Sequence, residues 1–126
     1  MQFKLRSPWI GRWLMLVALI HLAFGALVFA EPLQAIGRTG WWGGVERDAT
    51  LMAVTWFVLF APPLFTTGLA IDAIERQRGH VPTALAWWLL AVAALGAALM
   101  PASGFYLVLP AVVAIFLRAR PPAARP

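Results

Sequence analysis

Three long stretches without a charged residue constrain this chain more than any other feature. They run from Trp13 to Ala30, from Ala49 to Ile71 and from Val81 to Leu117. A helix rises about 1.5 Å per residue and the hydrocarbon core of a bilayer is roughly 30 Å thick, so each stretch can cross most or all of a membrane. Hydrophobic residues make up 62% of the chain, more than the roughly half that is usual in soluble domains. The pattern predicts an all-α membrane protein.

The longest stretch is predicted to hold two helices. As one helix it would measure roughly 55 Å, nearly twice the membrane thickness, and it contains a turn signal at Pro101-Ala102-Ser103-Gly104. The prediction is a bundle of four transmembrane helices, at about 9–30, 49–71, 82–100 and 105–117. They form a single domain over 1–120, with a disordered tail at 121–126.

The distribution of Lys and Arg predicts the orientation. Eight of the ten lie at the two termini and in the second loop, and only Arg38 and Arg47 lie in the first loop. Cytoplasmic segments retain basic residues, so both termini are expected inside, as an even number of helices requires. In a bacterium the protein would be a multi-pass inner-membrane protein. Topology therefore explains the net charge of +5 better than a nucleic-acid partner.

The first loop and the N-terminus each carry one further expectation. The first loop contains Trp41-Trp42 and several glycines, so it is expected to lie along the membrane interface with a short helix after Pro32. The alternative for the N-terminus is a signal peptide cleaved after Ala30, which would leave three helices. The apolar run is longer than the roughly 7 to 15 residues of such peptides, which favours a retained helix.

His21 is the main functional candidate, because it is the only histidine within the uncharged stretches. It lies near the predicted midplane, where an ionisable residue is by default a functional hypothesis. An unpaired polar group in hydrocarbon costs several kcal/mol, so the imidazole is expected to face the bundle and find a partner. The competing interpretation, which the residues favour, is a packing hydrogen bond to a neighbouring helix.

Prolines are expected to break two helices at the same depth. Pro62, Pro63 and Pro110 lack an N–H, which frees the carbonyls of Val58, Leu59 and Tyr106. Broken helices at the midplane form binding sites in transporters, although a kink repaired by Thr66, Thr67 or a neighbouring helix is the simpler interpretation. The ligand-binding candidates are therefore His21, Trp56, Pro62, Pro63, Thr66, Tyr106 and Pro110.

The remaining residues argue against common catalytic and metal sites. The chain has no Cys and only two His, and no carboxylate pair stands at helical spacing with a His. No metal site and no cofactor are predicted, and Asp48 is expected to cap the second helix. On the third helix, Ala93 with Ala97 and Ala94 with Ala98 are small-residue pairs. They favour packing within the chain, with a homodimer through this face as the alternative.

Several motifs resemble those of a known family. They are Gly11-Arg12-Trp13-Leu14, His21 with Gly25, Trp56-Phe57, and the block from Leu99 to Phe105 with Leu109-Pro110. Together they resemble an uncharacterised family of small bacterial four-helix integral membrane proteins, over about residues 12–117. The resemblance implies a fold and a membrane setting. It implies no activity, cofactor or catalytic residue.

Three functions are compatible with the sequence. The favoured one is a non-enzymatic structural, accessory or lipid-binding bundle, with the bilayer and a lipophilic ligand as its partners. The first alternative is a small oligomeric carrier with a midplane site at His21. The second is a membrane-embedded enzyme on a lipophilic substrate, with His21 as acid or base and Glu31 or Asp48 as its partner. An apolar pocket reaching His21 favours a lipid binder or an enzyme, and a polar crevice favours a carrier.

Overall fold

The computed structural model describes residues 7–119, and within that range the chain is entirely helices and short connections. The prediction of an all-α protein is confirmed. The elements are α1 (Ile10–Val28), α2 (Ala30–Thr39), α3 (Ala49–Leu59), α4 (Ala61–Arg78), α5 (Thr83–Leu99), a 3₁₀ segment (Gly104–Val108) and α6 (Leu109–Arg118).

Among residues 7–119, two helical rods are long and apolar enough to cross a membrane. One is α1, and the other is the bent rod of α3 and α4 from Ala49 to Arg78. The rods of α5 and of Gly104–Arg118 are apolar but shorter. Four membrane spans therefore stay a prediction, and the tail predicted at 121–126 lies outside the described residues.

The second rod extends past its predicted end at Ile71. Asp72 and Glu75, which were expected to open a loop, lie on α4 instead. Asp72 pairs with Arg76 one turn later at 2.7 Å, and Glu75 is buried, so the polar segment is held in helical form by its side chains. The helix ends at Gly79, whose φ of 70° is left-handed and favours glycine at this position.

The beginnings of α2 and α3 agree with the sequence. The short helix expected after Pro32 is present, but it begins at Ala30 and holds Pro32 in its first turn, where a missing N–H costs little. Asp48 caps α3 as predicted, since its Oδ1 accepts from the backbone N–H groups of Thr50 at 2.8 Å and Leu51 at 3.1 Å.

The helices pack as a curved row in the order α4, α1, α6, α5. Within the described residues, α5 has no Cα atom within 8 Å of α1, α3 or α4, and its backbone comes that close only to the 3₁₀ segment and α6. Helix α1 packs against α4 on one side and against α6 on the other. Its contact with α4 is close because Gly11 and Gly68 face each other, and a Cβ on either would overlap the other helix.

At one end of the helix axes, four charged side chains hold the helices together, and we call this cluster the charged end. It consists of Arg12, Asp72, Glu75 and Arg118. Glu75 accepts from the backbone N–H of Gly11 at 3.0 Å and from Arg118 Nη1 at 2.9 Å. Arg12 Nε lies 3.3 Å from Asp72 Oδ1. These contacts join the start of α1 to the ends of α4 and α6, and the main apolar core lies beside them.

Candidate functional site

An apolar cavity of about 610 Å³ lies between α5 on one side and the α3–α4 rod on the other, and we call it the cleft. Its volume is within the range of roughly 300–1,000 Å³ that is usual for small-molecule sites. The walls come from α1, the bend between α3 and α4, α5, the turn at 100–104 and the 3₁₀ segment. Its lining residues are Val17, Ile20, His21, Phe24, Trp56, Phe57, Phe60, Leu64, Val92, Leu95, Gly96, Leu99, Met100, Ala102, Ser103, Gly104, Phe105, Leu107 and Val108.

The cleft exists because α5 leans on the 3₁₀ segment instead of on α3 or α4. Gly96 allows this, since the Phe105 ring occupies the space where a Cβ would lie. On the other side, the Trp13 indole N–H donates to the carbonyl of Leu107 at 2.7 Å and fixes the 3₁₀ segment against α1. The gap between α5 and the α3–α4 bend is therefore a product of close local packing.

The rim of the cleft is exposed and apolar. Trp56 is 71% exposed, Leu95 64% and Leu99 72%. Large apolar side chains at this exposure are costly in water, and contiguous exposed apolar patches mark interaction sites or membrane-facing surfaces. The cleft therefore opens sideways onto a surface suited to hydrocarbon.

His21 lies on the wall formed by α1 and is held by the α3–α4 bend. Its Nε2 lies 2.8 Å from the carbonyl oxygen of Phe57. Its ring stacks on the Phe57 ring, with centroids 4.0 Å apart, and meets the edge of Phe60 at 5.7 Å. Because a carbonyl only accepts, Nε2 carries the proton. The accepting carbonyl belongs to Phe57. The carbonyls that the prolines were expected to free belong to the next two residues, Val58 and Leu59.

The prolines of the second rod lie away from the cleft. Pro62 and Pro63 are in the first turn of α4, directly after the bend at Phe60, and they do not line the cavity. The hydroxyls of Thr66 and Thr67 donate to the carbonyls of Pro62 and Pro63, each at 2.9 Å. The expected repair of the carbonyls of Val58 and Leu59 by these threonines is therefore wrong.

The expectation for the fourth helix is also wrong in its detail. The chain forms a 3₁₀ segment up to Val108, so Pro110 falls in the first turn of α6 instead of mid-helix. The Tyr106 carbonyl is not freed, because it accepts from the N–H of Leu109. Neither Tyr106 nor Pro110 lines the cavity. Of the seven candidate residues, the structure brings only His21 and Trp56 to the cleft.

Ser103 is a cleft residue that the sequence did not single out as a candidate. Its hydroxyl oxygen is buried and has no hydrogen-bond partner within residues 7–119. Sequence reasoning placed Ser103 in a turn, where hydroxyl residues are common, and that signal does not distinguish a solvated turn from one folded against a cavity.

The charged groups do not extend into the cleft. No carboxylate, Lys or Arg is among its lining residues, and the Asp48 carboxylate is occupied in capping α3. Glu31 is exposed on α2. Within the described residues, no group of three or more His, Cys, Asp or Glu is placed to hold a metal ion.

A second hollow, of about 720 Å³, lies in the first loop. It is formed by Thr39, Trp41, Trp42, Gly43, Gly44, Glu46 and Arg47. Trp41 and Trp42 are 89% and 99% exposed, so this hollow is an open surface of the loop and the cleft is the better candidate site.

Over residues 7–119 the fold and the cleft define a class: a helical, strongly apolar protein with two rods able to cross a membrane and a lateral apolar cavity. The chain belongs to a family of unknown function, DUF6463, whose model matches residues 5–122. The expected membership of an uncharacterised family is thereby confirmed. No curated protein and no solved structure matches the chain.

Proposed function

We propose that this chain is an integral membrane protein of the bacterial inner membrane that binds a lipophilic ligand in the cleft. Its four apolar rods cross the membrane as a bundle that is open on one side, with both termini in the cytoplasm. The protein acts as a non-enzymatic lipid-binding component.

The charged end supports this topology. Arg12 pairs with Asp72, and Arg118 pairs with Glu75, so the start of α1, the end of α4 and the end of α6 lie at one level. Among the described residues, Arg12, Arg76, Arg78 and Arg118 therefore lie at this end of the helices, and the positive-inside rule assigns that end to the cytoplasm. The turn at 100–104 then faces the outer side.

One observation carries the binding function: an apolar cavity that reaches His21 and has an exposed apolar rim. A carrier for polar solutes needs a polar, water-accessible crevice, and this cavity is lined almost entirely by apolar side chains. An enzyme using His21 as acid or base needs a partner within hydrogen-bond reach or one water away. The carboxylates suggested for that role, Glu31 and Asp48, do not line the cleft.

The small residues of α5 divide between two surfaces. Ala93 is buried inside the chain, whereas Ala94 and Ala98 are exposed. A second copy docking on α5 would meet the exposed pair. Such a dimer is compatible with the proposed function, because these two alanines are not lining residues of the cleft.

Photocrosslinking with a diazirine derivative of hexadecane tests the function. The protein is reconstituted in liposomes, and crosslinked peptides are identified by mass spectrometry. Labelling is expected in peptides of α1 and α5 that line the cleft. Val92→Trp fills the cleft and should reduce this labelling several-fold, whereas Val113→Trp, at a similarly exposed position on α6 outside the cleft, should not. Equal labelling of both variants and of the parent protein would count against the cleft.

A further inference from the structure

Two polar atoms of the cleft lack a hydrogen-bond partner in the described part of the chain. One is the buried hydroxyl oxygen of Ser103. The other is Nδ1 of His21, since the ring's one hydrogen bond is made by Nε2. A buried polar group in a native protein is nearly always paired, so the buried Ser103 oxygen points to a missing partner. Nδ1 of His21 is not among the buried unpaired atoms, and it adds a second free hydrogen-bonding position. Both residues line the same cavity.

The chemistry of the two atoms differs. Nε2 of His21 carries a proton because it faces a carbonyl, so in the ring that carries one proton Nδ1 is an acceptor and takes a donor from the ligand. The Ser103 hydroxyl has one proton to donate and lone pairs to accept. A ligand that satisfies both atoms must present an O–H or N–H together with an oxygen.

From these two atoms we propose that the ligand of the cleft is a neutral amphiphile whose head group carries a hydroxyl. The hydroxyl donates to Nδ1 of His21, and the Ser103 side chain turns its buried hydroxyl into the cleft and donates to an oxygen of the same head group. The apolar chain lies along the exposed rim. Glycerol monoesters have this chemistry, as do hydroxylated isoprenoids. This inference rests on the proposed function, because it names the ligand class of the same site.

The lining of the cleft disfavours the other head groups that lipids offer. An anionic carboxylate or phosphate would be desolvated with no Lys or Arg beside it, which is costly for an unpaired charge. A cationic head would likewise meet no carboxylate among the lining residues. A plain hydrocarbon would fill the volume but leave the Ser103 hydroxyl and His21 Nδ1 unsatisfied.

The test compares ligands on the unmodified protein. Binding of monopalmitoyl glycerol, of its dimethyl ether and of palmitate is measured by native mass spectrometry of the protein in mild detergent. The dimethyl ether keeps every oxygen and the chain but has no donor. The glycerol ester is expected to bind about tenfold more tightly than the ether, the effect of one hydrogen bond to an otherwise unpaired group. Palmitate is expected to bind more weakly than the ester.

Variants assign the effect to the two atoms. His21→Phe keeps an aromatic ring against Phe57 but removes Nδ1, so the difference between ester and ether should disappear. Ser103→Ala should weaken both ligands by a similar factor, because both keep the oxygen that accepts from Ser103. Ser7→Ala and His80→Phe are the matched controls, since Ser7 and His80 lie outside the cleft, and both should bind as the unmodified protein does.

The outcomes distinguish a failure of the inferred ligand class from a failure of the proposed lipid-binding function. Equal binding of ester and ether to the unmodified protein would overturn the hydroxyl inference and leave a lipophilic site in place. Tighter binding of palmitate would overturn the neutral head group. Binding of none of the three probes would overturn the proposed function itself. A difference that persists in His21→Phe would remove His21 from the site.

Discussion

Glu75 is expected to be the most sensitive charged residue for stability. It is 6% exposed, and it serves two partners that the helices leave unsatisfied. Gly11 is in the first turn of α1, where backbone N–H groups have no intrahelical acceptor, and Trp9 before it provides no side-chain cap. Arg118 ends α6 and is largely buried. Glu75 thus caps one helix and pairs with a cation at the end of another.

The expected cost of Glu75→Gln follows from these contacts. The amide has one oxygen for two donors, so its NH₂ group must face either Gly11 N–H or Arg118. Breaking a buried ion pair from one side costs about 3–5 kcal/mol. Arg118 retains contacts of 3.3 Å to the Ser7 carbonyl, so we expect a loss of about 2–3 kcal/mol in the free energy of unfolding, above the roughly 1 kcal/mol of an ordinary hydrogen bond.

Denaturation by SDS in mixed micelles, followed by circular dichroism, measures this loss. Glu46→Gln is the control, because Glu46 is exposed in the first loop and should change stability by less than about 0.5 kcal/mol. A double-mutant cycle with Arg118→Met should return a coupling energy of at least about 1 kcal/mol. If Glu75→Gln unfolds within about 0.5 kcal/mol of the unmodified protein, the charged end does not hold the helices together.

Three further predictions concern packing, capping and topology. Gly68→Ala should destabilise by about 1–3 kcal/mol, because the added Cβ overlaps Gly11 across the helix contact. Gly37→Ala lies in α2 with open space around it, so it should not destabilise in the same SDS titration, since alanine favours a helix over glycine. Asp48→Ala removes the cap of α3 and should cost about 1 kcal/mol, read as a lowered thermal midpoint. Since the chain has no Cys, Gly37→Cys and Gln77→Cys should react with an impermeant maleimide from opposite sides of sealed vesicles, and labelling from one side would refute the topology.

The uncharged stretches predicted the helical regions because the length of a stretch, multiplied by the helical rise per residue, can be compared directly with the thickness of a membrane. They failed at Asp72 and Glu75: Asp72 has a local partner in Arg76, but the groups that bury Glu75 on the helix are remote in sequence. Glu75 binds Gly11 and Arg118, which lie 64 and 43 residues away. A single sequence carries no signal for such pairs, so a charged segment was interpreted as a loop.

The candidate site was predictable only in part. His21 was conspicuous because polar residues are costly in an apolar stretch, and the expectation that it would bond to a neighbouring helix agrees with its contact to the Phe57 carbonyl. Ser103 was not conspicuous, because a serine in a turn is usually solvated. The cleft itself depends on α5 leaning on the 3₁₀ segment, which follows from the ring of Phe105 packing on Gly96 and not from any local pattern.

The row order has a consequence for biosynthesis. Within residues 7–119, every packed pair of elements either includes α1 or joins neighbours along the chain. Helix α1 leaves the ribosome before the others, so each later helix meets a partner that has already been made, and chains commonly fold from the N-terminus during synthesis. The α5–α6 hairpin can therefore pack on α1 as soon as it is made. A mutation that disrupts α1 would remove the helix against which both α4 and α6 pack.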